Sequence, residues 1–425
     1  MSLTSFYDLL EARDPAQREA RLMAALPGAV DSAQRRSRAM AETLQGVDAA
    51  AVCSRAALAT LPVTRKHELL ARQQASRAAG GEPFGGFSAV GWTGQPVAHG
   101  ARRVFQSPGP IYEPEGTAPD YWRMARAIWA AGFRAGDLAH CSFSYHLTPA
   151  GSMMETGAHA IGCATFAGGV GNTELQLQAA AELKPQGYIG TPSFLKILLD
   201  KAAETGVSLA SLRKALVSGE ACPPSLRDWL AERGVAAYQC YATADLGLIA
   251  FETPAREGLV LDEAVIVEIV RPGTGDPVPE GEVGEVVVTT LNPDYPLIRF
   301  GTGDLSAVLP GRCPTGRSNT RIRGWLGRAD QTAKVRGMFV HPSQVAEVGR
   351  RHPSLGRLRL VVSGQMAQDQ MTLQAECAEP ANEGLARQVA ETVREVTRLR
   401  CEVQLLPVGS LANDGKVIED ARSYA

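Results

Sequence analysis

The chain has 425 residues, 45% of them hydrophobic and 21% charged, with a formal net charge of -2, a pI near 6.4 and a mean hydropathy of -0.09. That is the make-up of a folded protein of two or more domains, and it excludes a disordered chain. Near-neutral charge predicts neither a nucleic-acid partner nor a cationic membrane surface.

The start, MSLTSFYDLLEARDPAQREARL, carries acidic residues where a signal peptide needs a basic stretch and then an apolar run. No segment approaches the ~20 apolar residues of a membrane span. Eight scattered cysteines without a CxxC pair read as reduced thiols, so a cytoplasmic protein is expected.

Over the first hundred residues, AQREARLMAALPGAV and AQRRSRAMAETLQ have helical periodicity, and a glycine-rich loop follows at GGEPFGGFSAVGWTGQP. From Asp120 short apolar runs alternate with longer amphipathic ones: YWRMARAIWAAGF, LAHCSFSY, GSMMETGAHAIG, CATFAGG, TELQLQAAAELK, GYIGTPS, FLKILLDKAAETG, KALVSG and SLRDWLAERG. Strands of about five residues alternating with helices of ten or more predict parallel βαβ units. After Tyr241 the texture turns β-rich, as in AVIVEIVRPGTGDPVPEGEVGEVVVTTL. From Asp330 onward LRLVVSGQ, MTLQAEC, the helix LARQVAETVREVTRLR and CEVQLLPVG predict a small α+β unit. The expected division is a large domain over 1–329 and a small one over 330–425.

Three stretches are hard to explain as packing alone: RFGTGDLS at 299–306, RGWLGRADQTAKVRG at 323–337, and NDGKVIEDAR near the end. With LATLPVTRKHELL, EPFGGF, GTPSFL, SGEACPP and GEVGEVVVTTL, they resemble the adenylate-forming superfamily, and most of all its phenylacetate–CoA ligase-like branch. The resemblance runs nearly end to end. It implies an α/β adenylate-forming fold, in which a large domain of α/β subdomains and a β-subdomain is followed by a small mobile α+β domain.

The resemblance also implies a reaction in two steps. A small-molecule carboxylic acid attacks the α-phosphate of Mg²⁺-bound ATP to give an acyl-adenylate. CoA, or another acyl acceptor, then displaces AMP, and the small domain turns between the steps. Asp304 would accept hydrogen bonds from the ribose hydroxyls, Arg328 would contact ribose or α-phosphate, and Asp330 would be the hinge. Lys416 would steady charge on the α-phosphate oxygens as the catalytic residue. Gly219 and Glu220 of SGEA would border the adenine, and the Tyr241 ring would stack on it. A homodimer is compatible with this picture.

Plain structural readings stand beside these roles. Gly-Asp after a strand is a common turn, Arg328 and Asp330 would serve as a surface ion pair, and a lysine near a chain end is usually only solvated. Tyr145, His146 and Phe166 would shape an aromatic-acid pocket, and His146 reads equally well as a loop histidine.

Three places depart from the family pattern. Its phosphate loop is a Ser/Thr/Gly-rich run ending in Lys-Pro, whereas here SPGPIYEPEG follows RVFQ. Each proline deletes an N–H donor, and Glu113 and Glu115 would set two carboxylates against a polyanion. GWTGQP is a second-ranked alternative for that loop. The motif Tyr-Gly-x-Ser/Thr-Glu reads Tyr241-Ala242-Thr243-Ala244-Asp245, so Thr243 would supply the phosphate-facing hydroxyl and Asp245 the Mg²⁺ carboxylate. Where relatives carry a structural zinc site, this chain has Thr253, Val260, Cys313 and Thr315, and one thiol makes no tetrahedral site; no zinc is expected.

Overall fold

The computed structural model describes residues 6–95, 97–326, 328–329, 331, 333–340, 342–364, 369–380, 382–412 and 416–422. Its contacts divide the chain into two compact units, Met1–Leu326 and Gly327–Ala425.

The first unit is built on a nine-stranded sheet. Five of its strands are parallel neighbours in the order Ala236–Thr243, Lys214–Val217, Gly187–Gly190, Leu138–Cys141, Ala164–Ala167. The three inner ones are short and mostly buried because helices cover the sheet, the arrangement that crossover connections impose. The helix Pro192–Thr205 shows how local sequence sets such an element. Thr191 caps it, Pro192 fits its first turn, Gly206 ends it at φ +70°, and Leu195, Leu198 and Ala202 line its buried stripe.

The β-rich sequence after Tyr241 does not stay together. Gly247–Glu252, Leu259–Leu261, Val308–Leu309 and Arg321–Ile322 extend the large sheet as antiparallel strands. Val265–Val270, Gly284–Thr290 and Phe300–Ser306 instead form a second sheet, on whose edge the dipeptide Thr64–Arg65 pairs in parallel with Phe300 and Gly301. That dipeptide leads directly into the helix Lys66–Ala78. One core joins the N-terminal helices to this second sheet through Leu26, Met40, Val288 and Phe300. Another lies between the large sheet and the helices Ala125–Ala130 and Ala150–Ala160.

The second unit is a four-stranded sheet ordered Glu402–Leu406, Gln370–Cys377, Leu355–Ser363, Ile418–Asp420. Helices Pro342–Arg351 and Glu383–Thr397 accompany it, and its core includes Val345, Val348, Leu360, Val362, Leu373, Val389 and Val393. Ahead of them, Ala333–Val335 and Met338–Val340 form a hairpin whose two turn residues, Arg336 and Gly337, both have positive φ, as a tight primed turn requires.

Candidate functional site

Open α/β sheets hold ligands beyond the carboxyl ends of their parallel strands, and the chain places its motifs there. Where Lys214–Val217 ends, Ser218 donates its hydroxyl to the Cys240 carbonyl (2.8 Å) and Gly219 turns the chain at φ +82°. Glu220 then reaches the N-terminus of helix Pro192–Thr205, where its carboxylate accepts from the Ser193 N–H (2.7 Å). Such an N–H is one of the helix's unpaired donors, and a negative charge beside it is favourable. Gly219 and Glu220 are exposed.

The neighbouring strand carries Tyr241, at a bulge between Tyr241 and Ala242. Its hydroxyl donates to Asp304 Oδ2 (2.8 Å), while the Trp325 indole N–H donates to Asp304 Oδ1 (3.1 Å). Asp304 is buried on the strand Phe300–Ser306, and Trp325 is 40% exposed. The structure thus brings two of the expected nucleotide residues into direct contact. It adds Trp325 as a second donor on the carboxylate, a role that sequence reasoning did not assign.

Beyond Tyr241 the chain folds tightly. Thr243 Oγ1 accepts from the Leu246 N–H (3.1 Å), and Gly247 has φ +72° with the Trp122 carbonyl lying 2.7 Å from where a Cβ would stand. Arg123 ties this turn down through the carbonyls of Leu246 and Leu248. Inside it lies Asp245, whose side chain is 1% exposed, with Oδ2 on the Lys66 ammonium (2.9 Å) and Oδ1 buried without a hydrogen-bond partner among the described residues. Lys66 opens the helix that follows Thr64–Arg65, and it too lay outside the residues singled out from sequence.

The segment SPGPIYEPEG forms a hairpin, Arg103–Ser107 against Ile111–Glu115, joined by the exposed turn Pro108-Gly109-Pro110. The expectation that Glu113 and Glu115 face a polyanion is corrected here: both are completely buried. Glu115 takes Arg103 (3.0 Å), Ser152 (2.7 Å) and the Trp122 indole (3.2 Å), partners enough to satisfy a buried charge. Glu113 accepts from the hydroxyl and the N–H of Ser107. Burial pushes its carboxyl up to about 8; the charge of Asp245 adds to the rise and the Lys66 ammonium opposes it. Tyr295 is fully buried in the same neighbourhood, its hydroxyl without a hydrogen-bond partner among the described residues and held neutral by burial and by the nearby charge of Asp245.

Asp245 therefore sits in a donor set suited to an ammonium, not to a divalent ion. One oxygen is on Lys66, and the neighbouring carboxyl, Glu113, is mostly protonated at neutral pH. Magnesium prefers one or two charged carboxylates with water and phosphate around it, so as arranged these side chains do not fit a resident Mg²⁺. Thr253, Cys313 and Thr315, three of the positions weighed for zinc from the sequence, do come together, as a chain of hydroxyl–thiol contacts of 3.3 and 3.1 Å. One sulfur and two hydroxyls do not suit zinc. Among the described residues no group of three or more His, Cys, Asp and Glu gathers to hold a metal.

GWTGQP is an exposed turn with Gly94 at φ +91°; residue 96 lies outside the described residues. Of the aromatic-pocket candidates, Tyr145 lays its ring against Gly151 and points a buried hydroxyl into the core, Phe166 packs edge-on to His140 (5.1 Å), and His146 is exposed. The second unit carries Arg328, half-buried near its start, and Lys416, exposed just before the strand Ile418–Asp420. Asp330 and Gly415 lie outside the described residues. All eight cysteines are free thiols, and among the described residues no helix is long and apolar enough to cross a membrane.

A parallel sheet with Tyr241, Asp304 and Trp325 joined near its carboxyl edge, and a separate small α+β unit, are the features to compare with known proteins. The profile of the AMP-binding enzyme family matches residues 123–292, two fifths of the chain, and the fold is of the adenylate-forming α/β kind.

The particular likeness is to ligases named for phenylacetate. The chain is 32% identical over 276 residues to the phenylacetate–coenzyme A ligase of Aromatoleum evansii, covering 62% of each chain. It is 31% identical over 291 residues to that of Thermus thermophilus, covering 65% of each. The chain thus spans somewhat under two thirds of the length of these relatives. In fold it is similar to the crystal structure of 2-hydroxyisobutyryl-CoA ligase in complex with 2-HIB-AMP and CoA, with a TM-score of 0.80 over 99% of this chain and 93% of that one at 24% identity.

Proposed function

We propose that the protein is an ATP-dependent acid–thiol ligase acting on an aryl or similarly compact organic acid. The acid's carboxylate attacks the α-phosphorus of ATP, the bond to the bridging oxygen breaks, and pyrophosphate leaves. The CoA sulfur, giving up its proton, then attacks the acyl carbonyl, and AMP departs. The reading is carried by one observation, the buried Asp304 carboxylate held between the Tyr241 hydroxyl and the Trp325 indole. A carboxylate presenting oxygens to hydroxyl and N–H donors beside an aromatic ring is suited to a ribose diol and a purine face.

In this reading Gly219 and Glu220 border the purine, Thr243 offers its hydroxyl toward phosphate, and Arg328 and Lys416 supply positive charge to ribose and phosphate. Lys416 serves the first step. Magnesium enters as part of the ATP substrate and supplies charge neutralisation for the departing pyrophosphate. The proposed test is acid-dependent pyrophosphate release over a panel beginning with phenylacetate, with Lys416→Ala alongside. Equal inactivity of both proteins across the panel would remove adenylation from consideration, and release without CoA-dependent thioester formation would point to an amine or carrier-protein acceptor.

A second reading has its own observation: the Pro108-Gly109-Pro110 turn and the Lys66–Asp245 pair leave little at this edge to hold the outer phosphates. It makes the chain a binder of AMP or acyl-AMP without adenylating activity. Calorimetry separates the two, since the second reading requires AMP to bind much more tightly than Mg·ATP.

A further inference from the structure

We propose that Gln331 and Arg359 are positioning residues for Lys416, fixing the backbone that carries it. This rests on the reading of Lys416 given above. The Gln331 side-chain carbonyl accepts from the N–H groups of Val417 (2.7 Å) and Ile418 (3.4 Å), the two residues that follow the lysine. Gln331 itself stands at φ +58°, a left-handed conformation that a side chain adopts only at a cost. Arg359 approaches from the sheet. It is 9% exposed on the strand Leu355–Ser363. Its guanidinium donates to the carbonyls of Ala412 (3.1 Å) and Lys416 (3.3 Å) and to the Glu419 carboxylate (3.4 Å).

A planar cation thus grips the chain on both sides of residues 413–415, and the amide beyond it holds the exit from Lys416. Two neighbours complete the frame: Arg357 donates to the Leu411 carbonyl (2.6 Å), and Glu376 accepts from the Leu411 N–H (2.8 Å). The short strand Ile418–Asp420 then pairs with Leu360–Val362.

An arginine bonded to carbonyls is often no more than a loop staple. Here the bonded groups belong to Lys416 itself and to its immediate successors. A rigid fork loses little entropy per bond and defines direction as well as distance. Preorganised charge acts only where it is held, and a displacement of about 1 Å at a reacting centre costs up to about 100-fold in rate.

The experiment compares two half-reactions in the full-length protein. One is phenylacetate-dependent exchange of pyrophosphate into ATP; the other is transfer from preformed phenylacetyl-AMP to CoA. Gln331→Met keeps the side-chain length and removes the acceptor, Gln331→Glu keeps an acceptor, and Arg359→Met removes the fork. We expect Gln331→Met and Arg359→Met to lower kcat for exchange by roughly 10- to 100-fold. KM for ATP and acid should stay nearly constant, acyl transfer should be spared, and Gln331→Glu should recover most of the loss.

Unchanged exchange in both Met variants overturns the proposal. So does an equal fall in both half-reactions, which would mark a folding role, as would failure of Gln331→Glu to rescue. Lys416→Ala in the same exchange assay separates this from the underlying reading. If that variant keeps full activity, the role of the lysine itself is wrong; if it alone is inactive, only the positioning claim fails.

Discussion

Replacing Glu113 with glutamine should make the protein progressively more stable than wild type as the pH rises. The Glu113 carboxyl is completely buried, bonded to Ser107 and close enough to Asp245 to feel its charge. Its proton is therefore held up to about 8, against an ordinary 4.5. Because the folded value lies above the unfolded one, the folded state binds the extra proton between those limits. Stability from this group is complete below about 4.5, declines through the interval, and is lost above about 8. At about 1.4 kcal/mol per pH unit, the full interval sets a ceiling of about 5 kcal/mol. Relaxation around the newly ionised carboxylate reduces the expected effect to on the order of 2 kcal/mol. Glutamine has the same shape and never ionises, so Glu113→Gln and wild type should match near pH 5 and diverge toward pH 9, the variant being the more stable. Urea unfolding of both proteins across that range is the assay, and titrations common to both cancel in the difference. A difference that stays constant with pH, or that favours wild type at pH 9, would refute the placement of this proton.

Lys66→Met should destabilise the first unit by roughly 3–5 kcal/mol, because it leaves Asp245 buried and unpaired, and Lys66→Met with Asp245→Asn should recover much of that loss in the same unfolding assay. Asp304→Asn should weaken AMP binding by about tenfold or more by calorimetry, since a charge-assisted acceptor of ribose hydroxyls becomes a neutral one. Exhaustive chelation should leave the melting temperature unchanged, and elemental analysis should find well under one zinc per chain, because Thr253, Cys313 and Thr315 present a single sulfur.

What could be read in the sequence was whatever depended on neighbours along the chain. The alternation of apolar runs and amphipathic helices from Leu138 to Val217 is set by local periodicity, and it emerged as parallel strands in one sheet. Tyr241 and Asp304 were reached through short motifs, and the structure places their side chains in contact. The destination of the strands after Tyr241 was not readable, since Gly247–Glu252 and Val265–Val270 have the same texture yet join different sheets. Glu113 and Glu115 were misjudged because a charged residue in a Pro-rich segment reads as solvated. What buries Glu115 is a set of partners, Arg103, Trp122 and Ser152, up to 37 residues away. Lys66 meets Asp245 across 179 residues, and no local pattern announces such a pair.

The hairpin also sharpens what separates the two functional readings. A loop that grips the outer phosphates of ATP does so with several N–H groups at once. Of Pro108, Gly109 and Pro110 only the glycine retains one, and the two acidic side chains that follow are committed to interior partners. Each charge-assisted bond forgone is worth about 1.5–3 kcal/mol, so losing two or three would cost ATP the advantage its outer phosphates normally confer. AMP touches none of that, and its affinity should depend on the nucleoside-contacting residues, Asp304 and Tyr241 first among them. The ratio of the ATP to the AMP dissociation constant therefore reports on the hairpin, while Asp304→Asn reports on the nucleoside. If ATP binds at least as tightly as AMP, the missing donors are supplied from elsewhere in the chain and ligase activity stands. If AMP binds 100-fold or more tightly, about 2.7 kcal/mol, the hairpin has turned a substrate site into a site for the nucleotide product.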